Sequence, residues 1–257
     1  MVNPVVSDFI HHYIPKCSES SPRHDQTESG PCGFEGFPLH YCVPLQLILF
    51  DLDGTLVDSA TDIANAFNYS IGLHGIPPVS RAEIEAMLGE GMTLIMKKFD
   101  EWKEMGLDPA TVRKHFREYY LTHIAVYSAP YPGVEDTLQR LKDFKKVVVS
   151  NKLEIFTVKT LRQLCLLDYF DLVMGGDSGP ERKPSPQAIL SVLSRLGIPA
   201  DETLMVGDTA YDIEAGRGAG VKTAAVTYGY GSSGFSDGAD FTIDAFPELI
   251  DIATILA

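Results

Sequence analysis

The sequence predicts a doubly wound α/β fold with a smaller helical domain inserted into it, and three observations carry that expectation. Short runs at 46–50, 146–149, 172–174, 204–206 and 223–227 are apolar almost throughout. Such runs suit parallel strands covered on both faces, where an alternating pattern would suit a half-exposed sheet. Segments with helical period and helix punctuation separate them, which is the rhythm of a parallel sheet with crossover helices. One gap breaks the rhythm: residues 51–145 lie between the first run and the second, and most of them read as helix.

In chain order, 1–44 stand apart. They hold four of the seven histidines, at 11, 12, 24 and 40, and prolines at 4, 15, 22, 31, 38 and 44, with no period of either kind. They read as a poorly ordered extension, and His11 and His12 beside Cys17 as loose surface groups. An α/β core is expected over 45–59 and 132–257, with a helical cap over 60–131. Cap helices are expected at 62–73, 81–88, 92–105 and 109–126, punctuated by Pro77-Pro78, Gly106 and 130–133. An insert just past the end of a first strand lies over the ligand crevice and could act as a lid. Phe116, Tyr119, Tyr120 and His123 recur at helical spacing and read as cap interior. In the core, Ser185-Pro186 opens a helix and Gly197 closes it, with Leu190, Leu193 and Leu196 as its buried stripe. Residues 241–243 read as a sixth, edge strand. Cys165 reads as buried and inert. The glycines at 216, 218 and 220 follow a helix and do not open one, so they read as a helix end and close packing, not a dinucleotide site.

Composition narrows the function. Hydrophobic residues make up 45% and charged residues 22% of 257, enough for a sizeable core. There are 35 Asp+Glu against 21 Lys+Arg, for a formal charge of −14. Such a surface repels nucleic acid and anionic lipid, and neither is an expected partner. It also repels phosphorylated ligands unless a local cation reverses the sign. No apolar run reaches a membrane span, no secretory leader is legible, and the four cysteines show no zinc spacing; a reduced, cytoplasmic protein is the expectation.

The chemistry gathers at the strand ends. The first strand runs into Asp51-Leu52-Asp53-Gly54-Thr55, the second ends at Ser150-Asn151, Lys183-Pro184 follows the third, and the fourth ends at Gly207-Asp208 with Asp212 beyond. In an open parallel sheet these ends meet at one crevice. Asp51, Asp53, Asp208 and Asp212 together would need a compensating cation, and carboxylates without His or Cys suggest Mg²⁺. Mg²⁺ commonly works with substrate phosphate, so Lys183 and Ser150 read as phosphoryl ligands. Of the paired Asp51 and Asp53, one could attack phosphorus and the other move the proton.

Asp51-Leu52-Asp53-Gly54-Thr55-Leu56-Val57-Asp58-Ser59, Ser150-Asn151-Lys152, Lys183-Pro184-Ser185-Pro186 and Gly207-Asp208-Thr209-Ala210-Tyr211-Asp212 resemble, in order, the four motifs of the haloacid dehalogenase-like hydrolases. That resemblance implies a three-layer, Rossmann-like α/β core with an inserted helical cap. It implies Asp51 as nucleophile and Asp53 as general acid and base. It implies Mg²⁺ on Asp51, Asp208 and the Asp53 main-chain carbonyl, with Asp212 supporting the metal. Ser150, Asn151 and Lys183 would bind the phosphoryl group. Within the family, Pro130-Tyr131-Pro132-Gly133-Val134, Gly175-Gly176-Asp177 and Ala225-Val226-Thr227-Tyr228-Gly229-Tyr230-Gly231 resemble the phosphoglycolate phosphatases, and Gly89-Glu90-Gly91 resembles their cap loop, which contributes to substrate choice. The implied activity is a Mg²⁺-dependent phosphatase of small phosphorylated metabolites such as 2-phosphoglycolate, acting through an aspartyl-phosphate as monomer or homodimer. A pyrophosphatase, a phosphosugar mutase and a non-hydrolytic phospho-accepting or ligand-binding module stand as alternatives. Arg113, Lys97 and Lys98 of the cap are candidates for reading the substrate only by their charge.

Overall fold

A computed structural model describes residues 44–89, 106, 108–179, 181–232 and 234–257. The expectations for 1–43, the helix at 92–105, Lys97, Lys98, Glu90 and Gly91 lie outside the described residues. Those described belong to one compact unit, Tyr41–Ala257.

The six apolar runs form one sheet. Strands β1 (Leu47–Phe50), β4 (Lys145–Val149), β5 (Leu172–Met174), β6 (Thr203–Gly207), β7 (Lys222–Val226) and β8 (Phe241–Ile243) lie in the order β5-β4-β1-β6-β7-β8, all parallel. Successive side chains of a strand point to opposite faces. Ile48 and Phe50 of β1 therefore join a core with Leu138, Leu161, Phe246 and Leu249. Leu47 and Leu49 join a second core with Ile189, Val192, Met205 and Ala215. Both faces are dry, so β1 shows no alternation in sequence. Helices α4 (Val134–Arg140) and α8 (Leu249–Leu256) supply one outer layer, and α6 (Gln187–Leu196) and α7 (Ala210–Ala219) the other.

The topology sets the place of the site. From β1 the chain first builds β4 and β5 on one side, then crosses to build β6, β7 and β8 on the other. That reversal opens a crevice at the carboxyl ends of β1, β4 and β6.

The cap is inserted between two short strands. β2 (Val57–Asp58) and β3 (Ala129–Pro130) pair antiparallel, Val57 with Pro130 and Asp58 with Ala129. Between them lie α1 (Ala60–Gly72), α2 (Arg81–Gly89) and α3 (Pro109–His123). Ala64, Phe67, Ile71, Ile84, Met87 and Val112 form the cap's own core. No helix among the described residues is long and apolar enough to cross a membrane.

Five expectations are corrected. Helix α3 ends at His123, short of 126, because the buried Asp62 carboxylate draws the chain away. It accepts from the backbone N–H groups of Tyr127 (3.1 Å) and Ser128 (2.8 Å) and from the Ser128 hydroxyl (2.5 Å). On α6, Ala188, Ile189, Val192 and Leu193 face the core while Leu190 is 38% exposed; a three-residue spacing drifts off the stripe that a 3.6-residue turn defines. The helix also starts at Gln187, with Ser185 Oγ accepting from the Gln187 N–H at 3.4 Å, so Pro186 lies just ahead of its first turn. Cys165 is exposed, at φ 57 just beyond α5 (Glu154–Gln163), where the chain turns out of the helix. In the cap, Tyr120 is buried as expected, but His123 is exposed and stacks on Tyr119 at 3.9 Å between ring centres.

Candidate active site

Each strand end delivers its side chain by local backbone geometry. Beyond β1, the Asp51 N–H donates to the Val206 carbonyl (3.0 Å), extending the ladder by one residue and aiming the carboxylate into the crevice. The chain then folds back on itself. The N–H groups of Leu56 and Val57 both donate to the Leu52 carbonyl at 3.0 Å, and Gly54 takes φ +88. Glycine is needed there twice over: left-handed backbone disfavours a side chain, and a Cβ would lie 2.0 Å from an Asp208 carboxylate oxygen. At the end of β6, Asp212 Oδ2 accepts from the Thr209 N–H (3.0 Å) and hydroxyl (2.7 Å), capping α7 and turning Oδ1 toward the crevice.

Asp51, Asp208 and Asp212 thereby meet. One carboxylate oxygen from each lies within 4.8 Å of the others, and Asp208 and Asp212 are fully buried. Lys183 Nζ bridges Asp51 (2.9 Å) and Asp212 (2.6 Å). Asp208 receives only neutral donors, the Thr55 hydroxyl (3.0 Å) and the Tyr230 N–H (2.7 Å), and forms no salt bridge among the described residues. Burial raises the Asp51 pKa to about 6, with Asp212 and Asp53 adding to it and Lys183 opposing. Burial, then Asp212 and Asp51, hold the Asp208 carboxyl well above its usual range. Burial alone would lower the Lys183 pKa, but Asp212 and Asp51 more than offset it and hold the ammonium charged. Like charges crowded in a dry place, all of them oxygen donors, fit a hard divalent cation.

The other predicted residues divide. Ser150 is buried at the end of β4, its N–H donating to the Met174 carbonyl (2.9 Å). Asn151 spends both ends of its amide on Lys183: Nδ2 donates to the lysine carbonyl and Oδ1 accepts from its N–H, each at 2.9 Å. The two bonds splint the backbone that carries Lys183. Asp53 stands apart from the three clustered carboxylates and pairs with Lys152, whose Nζ lies 2.9 and 3.0 Å from its two oxygens. The Ser59 hydroxyl also donates to Asp53 Oδ1, at 2.5 Å. Gly89 is the last residue of α2, and Arg113 lines the cleft from α3.

Sequence reasoning gave no role to Lys152, Thr55, Ser59 or Tyr230. Lys152 had one signal, its place directly after Ser150-Asn151. Its side chain is only 7% exposed, and its Nζ lies 4.9 Å from the ring centre of Tyr120, a cap residue that packs edge-on against Phe156 of α5 at 5.1 Å. A cleft of about 810 Å³ runs from Asp51, Asp53, Ser150 and Lys183 to cap residues that include Phe116 and Arg117.

The sequence model of the haloacid dehalogenase-like hydrolases matches residues 48–226, which span every element from β1 to β7. The chain belongs to that family. Among curated relatives of this hydrolase, the phosphoglycolate phosphatase of Aquifex aeolicus is 41% identical over 81% of this chain and 96% of its own length. That of Chromobacterium violaceum is 37% identical over 81% of this chain and 96% of its own. Among solved structures, a predicted phosphoglycolate phosphatase from Haemophilus somnus superposes with a TM-score of 0.75 at 29% identity, over 81% of this chain and 97% of that one. The hydrolase thus shares its three-layer core and inserted cap with phosphatases of this family.

Proposed function

We propose that the protein is a Mg²⁺-dependent phosphomonoester hydrolase that forms an aspartyl-phosphate on Asp51, with 2-phosphoglycolate or a similarly small phosphorylated metabolite as substrate. One observation carries the reading: the Asp51 carboxylate lies 2.9 Å from Lys183 Nζ and within 4.8 Å of Asp208 and Asp212, at the end of the central strand. Asp51, Asp208 and the Asp53 main-chain carbonyl would hold Mg²⁺, and Asp212 would steady them through Lys183. When bound, the cation neutralises charge on the phosphoryl oxygens.

The chain's own groups supply the rest. An Asp51 oxygen forms the bond to phosphorus as the bond to the leaving oxygen breaks, and Asp53 gives that oxygen a proton. Asp53 then takes a proton from water, the water oxygen bonds to phosphorus, and the bond to Asp51 breaks to release inorganic phosphate. Lys183 and Ser150 hold the phosphoryl group, and Asn151 fixes Lys183 for the task. The relatives named phosphoglycolate phosphatase support the choice of substrate.

The test is phosphate release from 2-phosphoglycolate, pyrophosphate, nucleoside monophosphates and hexose phosphates, with Mg²⁺ and with chelator. Release that requires Mg²⁺ and is fastest with 2-phosphoglycolate is expected. Preference for pyrophosphate would move the substrate assignment, and isomerisation of a hexose phosphate without net release would make the protein a mutase. A stable acyl-phosphate that never turns over would make it a phospho-accepting module.

A further inference from the structure

We propose that Tyr230 is a positioning residue that couples the metal carboxylate Asp208 to the hinge of the cap. The inference rests on the reading of Asp208 given above.

Tyr230 grips both structures at once. Its backbone N–H donates to Asp208 Oδ2 at 2.7 Å. Its hydroxyl accepts from the N–H groups of Ser59 (2.8 Å) and Ala60 (3.0 Å) and donates to Asp58 Oδ1 (2.9 Å). A phenolic hydroxyl has one proton and two lone pairs, so every site is used. These partners are the hinge itself: Asp58 ends β2, the incoming strand of the cap, and Ala60 begins α1. The Ser59 side chain does not cap α1. Its hydroxyl is turned to Asp53, so a tyrosine 170 residues away supplies the missing acceptor.

Two further contacts carry the link outward. Asp58 holds Arg81, the first residue of α2, through both carboxylate oxygens at 2.9 and 2.8 Å. The Tyr228 hydroxyl donates to the Thr55 carbonyl (2.8 Å), and the Thr55 hydroxyl donates to Asp208 (3.0 Å). The loop has little slack, because a Cβ on Gly229 would lie 2.3 Å from the Asp208 Cβ and one on Gly231 2.0 Å from the Asp208 carbonyl oxygen. A shift of Asp208 toward a cation therefore moves Tyr230 and the groups that set the entry of α1. By linkage the effect is reciprocal.

Hydrogen–deuterium exchange on the full chain tests this, with Mg²⁺ alone as the probe and calorimetry to follow its binding. In the wild type, Mg²⁺ should slow exchange in peptides covering 57–60 by about threefold or more. Y230F keeps the N–H to Asp208 but loses the hydroxyl. It should bind Mg²⁺ within about threefold of the wild type while the response at 57–60 disappears. Mg²⁺ binding to the wild type with no response at 57–60 overturns the coupling and leaves the metal reading intact. A full response in Y230F does the same, whereas absence of Mg²⁺ binding to the wild type overturns both. Because the wild-type arm alone can overturn the coupling, the proposal stays open to refutation even if Y230F folds poorly.

Discussion

Asp51 and Asp53 stand two residues apart and live in different surroundings. Asp51 is crowded by Asp208 and Asp212 and answered by Lys183, while Asp53 is paired with Lys152 and Ser59. Separate environments are what a nucleophile and a proton carrier require of two identical side chains. D51N should abolish phosphate release, since an amide is a poor nucleophile; wild-type turnover in that variant would remove Asp51 from the chemistry. D53N should lower kcat by roughly 10²–10⁴-fold, the usual worth of general acid–base catalysis. A rise in KM with kcat unchanged would show that Asp53 binds and does not transfer protons. K152M should lower kcat by about ten- to a hundredfold, by freeing Asp53 from its bidentate partner, with K152R restoring part of it. Equal activity of K152M and wild type would make the pair structural. The carboxylates were legible because each follows a strand end within a short motif. Lys152 and Tyr230 were not, because a partner 99 or 170 residues away leaves no local period.

At the scale of elements, the sheet was nearly transparent. Six apolar runs became six strands, because strands dry on both faces admit few polar residues. Helix faces and ends were harder to read. Leu190 fits a leucine spacing but lies off the buried side of α6, and α3 stops where Asp62, in another helix, captures the next turn. The β2–β3 pair, two residues on each side, is too short to show any period. Gly54 joins element to site. Gly54→Ala should abolish activity, and thermal melts should show destabilisation, since the added methyl meets the Asp208 carboxylate and positive φ adds strain. A stable, active variant would mean that the turn has far more room than its geometry gives it.

For the whole molecule, the charge of −14 meets a site where four carboxylates face two buried lysines. Asp51 is raised from 3.8 to about 6, so between those pH values the native metal-free state binds more protons than the unfolded chain. Its contribution to stability therefore falls as pH rises through that window and stays reduced above it. Mg²⁺ should reverse the loss. At pH 7 and a concentration near a hundred times its Kd, it should raise Tm by about 5–10 °C, and by less at pH 5, where protons compete for the same oxygens. Equal shifts at the two pH values would separate the cation from Asp51. Removing residues 1–44 should leave activity unchanged in the same assay, because every group assigned to the chemistry lies beyond them; a dead truncation would refute that view of the extension.

The paired strands β2 and β3 have a consequence for engineering. The insert leaves and rejoins the core at neighbouring points, so its connection asks nothing of the strand order beneath it. A lid taken from another member of the family could be grafted at that seam, trading selectivity while the phosphoryl chemistry below stays as it was.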